Sequence, residues 1–234
     1  MSTINLTKSS TEVSVSSIFM RQVYQWMAVG LGVTAATAWF TATSPAMLNM
    51  IFGSTFVLIA LVIAQFGLVI ALSAAVHRMS AATATGLFVL YSALTGLTLS
   101  SIFLTYSMGS IANAFIVSAG TFVAMSVYGT VTKRDLTAMG SFLMMGLFGI
   151  LIAMVVNIFL ASSMMDFVIS AIGVLVFTGL TAYDTQKIKE FGADAPLHDG
   201  TAVRRGVIRG ALTLYLDFIN LFLMMLRLFG GNRD

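Results

Sequence analysis

The chain has 234 residues, of which 58% are hydrophobic and only 9% charged, with a mean hydropathy of +0.96 and a net charge of +3. A soluble domain carries about 25% charged residues, so these figures exclude a globular protein with a large core and point to a polytopic membrane protein. The small net charge gives no argument for nucleic acid. The absence of cysteine excludes disulfides and thiolate metal sites.

With about 20 apolar residues per crossing, the length accommodates roughly six to eight spans. Residues 1–20 are polar and rich in Ser and Thr. They lack the basic start, short apolar core and cleavage site of a signal peptide, so the first span is expected to act as its own insertion signal. The expected organisation is a polar cytosolic tail over 1–20 and a single transmembrane domain over 21–234.

Seven apolar stretches follow. The first runs from about Gln22 to Thr43, with Trp26 and Trp39 near its ends, where aromatic belts sit. Ser44-Pro45 ends it, because proline disfavours helix at the residue before it. The second runs from about Ser54 to Val76, contains Gln65 and stops at His77-Arg78. The third, about Ala81 to Leu104, carries Ser92, Thr95, Thr98, Ser100 and Ser101, while Gly86 and Gly96 allow close helix approach. The fourth spans about Ser110 to Val131 and ends at Lys133-Arg134-Asp135. The fifth spans about Ala138 to Leu160, with Asn157 near its end. The sixth runs from about Phe167 to Tyr183 and finishes on Asp184. A charged loop of about twenty residues, containing Pro196 and His198, leads to the seventh, Gly206 to Phe229. Gln65, Asn157 and Asn220 read as interhelical hydrogen-bond glue, and His77 and His198 as solvated loop residues.

Lys and Arg are distributed unevenly. Lys8, Arg21, Arg78, Lys133, Arg134, Lys187, Lys189, Arg204, Arg205 and Arg209 all fall on one side if every stretch crosses. The loops after spans one, three and five have none. That asymmetry predicts a cytosolic N-terminus. Seven crossings then place Arg227 and Arg233 outside, mildly against that rule; a re-entrant last segment would instead return the tail to the cytosol.

The last stretch holds the polar residues of most consequence. Thr213, Asp217 and Asn220 make a stripe at i, i+4 and i+7, with Leu216, Ile219, Leu223 and Leu226 expected opposite. A charged side chain at the centre of a membrane helix costs about 2.5–3.5 kcal/mol on insertion scales. A chain keeps one where protein or water shields it, or where the charge has a task. In the predicted topology Asp184 lies at the cytosolic end of span six and Asp217 about 15 Å in from the same side. Arg78 ends span two on that side too. The two aspartates face each other if the sixth helix extends past Asp184 or tilts inward. Two carboxylates in low dielectric cannot both ionise cheaply, so a shared proton is expected. Protonated, the pair holds two helices together; ionised, it repels, unless Arg78 neutralises one charge. An acidic constriction formed by Asp184 and Asp217 favours cations, and Ca²⁺ above monovalent ions.

The runs Gly179-Leu-Thr-Ala-Tyr-Asp-Thr-Gln-Lys-Ile188 and Gly210-Ala-Leu-Thr-Leu-Tyr-Leu-Asp-Phe-Ile-Asn-Leu-Phe-Leu223 resemble the Bax-inhibitor (transmembrane Bax-inhibitor-motif) family. Tyr91-Ser-Ala-Leu-Thr-Gly-Leu-Thr-Leu-Ser100 and Tyr128-Gly-Thr-Val-Thr-Lys-Arg-Asp-Leu136 are similar to its bacterial inner-membrane branch. The resemblance covers nearly the whole chain after the tail. It implies an all-α membrane protein with a central seventh helix wrapped by six others. It also implies a pH-sensitive calcium leak, with a latch at Asp184 and Asp217 and its counter-charge at Arg78. Thr181, Thr213 and Asn220 form the supporting polar face. The second span lacks the acidic residue that some relatives carry there, so no calcium site is carried over to it. No cofactor is implied; Ca²⁺ enters as a transported ion, beside protons and the lipid bilayer. Some bacterial relatives are thought to modulate a membrane-anchored quality-control protease, and the polar tail and the charged Lys187–Arg209 segment offer contact sites for such a partner. An enzyme is not expected: there is no intramembrane His and no metal-binding cluster. Tyr-Asp-Thr and Leu-Asp-Phe do not look like the motifs of intramembrane aspartic proteases.

Overall fold

The computed structural model describes residues 2–195 and 199–230, with side chains described from Val15 onward. Pro196 and His198 therefore lie outside the described residues. The helices are α1 (Ser2–Ala42), α2 (Pro45–Phe52), α3 (Thr55–Ala74), α4 (Ala81–Leu99), α5 (Ile102–Thr105), α6 (Met108–Val131), α7 (Thr137–Leu160), α8 (Ser163–Ala193) and α9 (Gly200–Phe229), with a 3-10 turn at Val76–Arg78. Among the described residues there is no strand. Six helical segments are long and apolar enough to cross a membrane: α3, α4 continued through α5, α6, α7, α8 and α9. The first predicted stretch lies inside α1, which is not one of the six.

Serine starts several of these helices. Ser44, Ser80 and Ser107 accept from the backbone N–H of Met47, Thr83 and Ser110, each covering an N–H that has no intrahelical partner. Pro45 sits in the first turn of α2, where its missing N–H costs nothing. At the other end of α7, Ala161 adopts φ 47° and closes the helix in the left-handed conformation. α3 and α7 leave Phe56, Phe66, Phe148 and Phe159 exposed. Phe159 is 83% exposed, a placement that suits hydrocarbon and not water. In contrast, 61% of the most apolar eighteen-residue stretch of α9 is buried, against 6% for α3.

Two compact units are present, Met1–Thr105 with Lys189–Tyr215, and Tyr106–Ile188 with Leu216–Asp234. In the first, α4 packs on α1 and α3. Gly96 permits the α1 contact: a methyl there would lie 2.6 Å from the Thr34 carbonyl oxygen. Gly86, also expected to permit close approach, faces open space. Gln65 donates from Nε2 to the Leu94 carbonyl at 3.0 Å and to Thr98 Oγ1 at 3.2 Å, tying α3 to α4 as expected. The Arg204 guanidinium lies 4.3 Å over the Trp26 ring, and Arg205 Nη1 donates to the His77 carbonyl at 2.9 Å. His77 and Arg78 are exposed.

The fully buried Tyr215 closes the first unit's core. Its hydroxyl meets Thr34 Oγ1 at 2.6 Å, and Phe88 and Tyr91 present T-shaped rings to it. Tyr215→Phe removes that bond and leaves Thr34 its contacts to the Gly30 and Ser92 carbonyls. The expected cost is about 1 kcal/mol. Thermal unfolding in detergent, run as a cycle with Thr34→Ala, checks it: the two losses should not add.

In the second unit, α6 and α8 touch through backbone. A methyl on Gly129 would lie 2.2 Å from the Ala182 carbonyl oxygen. The Tyr183 ring lies over Gly140 of α7.

Candidate functional site

The sixth predicted span ends at Tyr183, but α8 continues to Ala193, nine residues beyond Asp184. The segment Thr185-Gln-Lys-Ile-Lys-Glu-Phe191 has neither Pro nor Gly, so leaving the apolar layer does not end the helix. Gln186 fixes its rotation. Its Oε1 accepts from the Leu136 N–H at 2.9 Å and its Nε2 donates to the Arg134 carbonyl at 2.9 Å. One buried side-chain amide thus satisfies two backbone groups of the α6–α7 loop. In that loop Asp135 accepts from the N–H and hydroxyl of Thr137, which hold its solvated carboxyl below the usual range.

So oriented, α8 turns Asp184 toward Asp217 of α9, and the two side chains are within hydrogen-bonding contact. Asp217 is buried and Asp184 half-buried. Phe218, next to Asp217, is flanked by Phe115 and Phe122 of α6, each at 5.6 Å between ring centres. Two ionised carboxylates are both acceptors. In that state Oδ2 of Asp217 has no hydrogen-bond partner among the described residues. One proton placed on the pair supplies the missing donor. Among the described residues no three His, Cys, Asp or Glu side chains gather as a metal site.

The remaining predicted residues behave differently. Thr181, Thr213 and Asn220 each bond back to their own helix, to the Phe177, Arg209 and Leu216 carbonyls at 2.7, 3.2 and 2.9 Å. Asn220 is therefore not the interhelical glue expected of it. The anticipated faces of α9 also need correction. Leu216 and Leu223 share the half-exposed stripe with Thr213 and Asn220, whereas Asp217 is sealed. The open stripe of α9 is narrow and runs Arg209, Thr213, Leu216, Asn220, Leu223, Arg227, so Asp217, one position off it, falls within the wide buried arc. Arg78 belongs to the first unit and the aspartates to the second. Gln186 carries no expectation in the sequence because it lies in what reads as a charged loop; the signal that marks it is adjacency to Tyr183-Asp184 within one helical turn.

A family profile described as "Inhibitor of apoptosis-promoting Bax1" matches residues 16–234. The chain belongs to this Bax1-inhibitor family. It is 54% identical over 215 residues to "Inner membrane protein YbhL" of Escherichia coli K12, covering 92% of each chain. It is 48% identical over 232 residues to a protein of Borreliella burgdorferi, covering 99% of each. A Deinococcus radiodurans protein is 44% identical over 234 residues, which is 100% of this chain and 98% of that one. Like the expected fold, membership describes an integral membrane protein, and the match extends through both aspartate-bearing helices.

Proposed function

We propose that the protein is a pH-sensitive calcium leak of the bacterial inner membrane, gated by the Asp184–Asp217 pair, and that it is not an enzyme. The observation that carries this reading is the contact between two carboxyls from consecutive membrane helices, one of them sealed from solvent. With one proton shared, the pair clamps α8 to α9. Losing that proton leaves two facing charges, which push the helices apart and expose acidic oxygens to a cation. Ca²⁺ takes six to eight oxygen ligands, so two carboxylates suit an ion in passage rather than a stored one. The counter-charge role of Arg78 belongs to the same proposal, as do seven crossings, a cytosolic N-terminus and a central position for α9.

The test is Ca²⁺ entry into liposomes holding purified protein and a trapped dye. Flux above empty vesicles, rising from mildly acidic to mildly alkaline pH, supports the reading. Flux absent, or flat across that range, overturns it.

The charged helical end of α8 and start of α9 favour one alternative, an interaction protein that modulates a membrane-anchored quality-control protease. Crosslinking with the polar tail deleted tests it; an unchanged set of partners counts against a docking role for the tail.

A further inference from the structure

Asp166 lies in the first turn of α8, 18 residues before Asp184, or about 27 Å away along one helix. That is close to the thickness of a bilayer's hydrocarbon core, about 30 Å, and Asp166 stands at the end of the membrane-spanning helix α8 away from the carboxyl pair. There a cavity of about 820 Å³ opens among the end of α7, the start of α8 and the end of α9. Its size falls within the range of small-molecule sites, roughly 300–1,000 Å³.

The cavity carries both signs of charge. Asp166 and Arg227 both line it and both are exposed, and among the described residues no ion pair joins them. The acid is held in place. Asn157 donates from Nδ2 to Asp166 Oδ1 at 2.7 Å, and its own Oδ1 accepts from the Ser162 N–H at 3.0 Å, so the α7–α8 turn fixes both residues. A carboxylate near a helix start is often there only to complement the helix dipole. Arg227, in the last turn of α9, suits its own helix dipole in the same way; neither role requires the two opposite charges to line one cavity, and they do. The rest of the wall is mixed: Met154, Ile158 and Phe167 make its apolar part, and Tyr106, Ser163 and Ser170 add hydroxyl-bearing side chains. Ile158 is 76% and Phe167 58% exposed, a placement that suits hydrocarbon and not water.

We propose that this cavity binds the headgroup of an aminophospholipid, with the primary ammonium on Asp166 and the phosphate on Arg227. An ammonium offers three N–H donors to a carboxylate, and a guanidinium grips phosphate with paired N–H donors. A choline headgroup has no N–H and cannot make the first contact. The apolar part of the wall lies where the start of the acyl chains would run. The same ammonium–phosphate chemistry is found in soluble phosphoethanolamine, so the source is decided by experiment. The site is independent of the aspartate latch.

The test is native mass spectrometry of the purified full chain, given equimolar phosphatidylethanolamine and phosphatidylcholine. The expected result is a preference of about tenfold for the ethanolamine lipid, the least that one charge-assisted hydrogen bond provides. Asp166→Asn should erase the preference, and Arg227→Gln should reduce retention of both lipids. Met154→Trp, which fills the cavity without touching a charge, should also release the lipid, and keeps the test open if a charge variant folds poorly. Equal retention of the two lipids by the parent, or unaltered retention in all three variants, overturns the proposal. Displacement of bound lipid by phosphoethanolamine supports the assigned chemistry. Binding of phosphoethanolamine without any of the lipid overturns the lipid assignment and places the ligand in the water.

Discussion

Asp217→Asn is expected to flatten the pH dependence of calcium flux and hold it at the low, acidic-pH level. The carboxamide is nearly the shape of the carboxyl it replaces and brings its own N–H donors. It can therefore donate to Asp184 at any pH, and the contact between α8 and α9 no longer needs a shared proton. The sign follows from the chemistry of the pair. At low pH the proton is present and the helices stay together; as pH rises the parent loses it and opens, while the variant stays closed. Two like charges about 4 Å apart at an effective dielectric of about 20 repel by about 4 kcal/mol. Even a third of that changes a two-state equilibrium about tenfold, so the parent-to-variant difference at alkaline pH should be of that order. Asp184→Asn should act in the same direction but less strongly, because Asp184 is half-exposed and water screens it. Dye-reported flux in liposomes across a pH series measures both variants. Superimposable curves for parent and Asp217→Asn would remove the latch.

The second large effect is expected at a position without a side chain. A methyl on Gly129 would stand 2.2 Å from the Ala182 carbonyl oxygen and 3.0 Å from its carbon. These are backbone atoms of α8, two residues before Asp184, and no rotamer change moves them aside. Gly129→Ala must therefore separate α6 from α8, at about 1–3 kcal/mol or more. For a chain of this size each kcal/mol lowers the melting temperature by about 2–4 °C. Gly120 lies on the same helix with nothing within 4 Å of its would-be methyl. There alanine should be neutral or stabilising, by about 0.5–1 kcal/mol, because glycine pays more entropy in a helix. Thermal unfolding of the two variants in the same detergent is a direct comparison. Equal melting temperatures would mean that α6 and α8 are not held as close as described. If Gly129→Ala still folds, its flux profile should shift as well, since the helix it displaces carries Asp184.

Much of the helical layout is legible in the sequence, because long apolar runs end at charges. The fourth and fifth stretches, expected over about 110–131 and 138–160, appear as α6 over Met108–Val131 and α7 over Thr137–Leu160. In the sequence Ser44-Pro45 reads as a break rather than as the start of the short α2. The same two residues are a serine cap and a first-turn proline, the local signature of a helix start. The expected sixth span stops at Asp184, short of the end of α8, because hydropathy marks where a helix leaves the apolar layer, not where its hydrogen bonds stop. The facing of Asp184 and Asp217 was conditional on that extension, and the extension is present. The rotation of α9 differs from the expected one at Leu216 and Leu223. The buried arc of α9 is wide, so one polar residue, Asp217, lies within it while two leucines lie on the narrow half-exposed stripe. Asp166 carries no signal in the sequence, since an acid in a first helical turn is ordinary; the cavity it shares with Arg227 sets it apart.

The amide of Gln186 stitches α8 to the backbone at Arg134 and Leu136. Any twist of α8 must drag that hairpin of chain along or tear both stitches. Lys133, beside it, points into solvent. A spectroscopic tag on Lys133 would thus act as a needle on a dial, reporting from the aqueous side how far a hidden acid has turned.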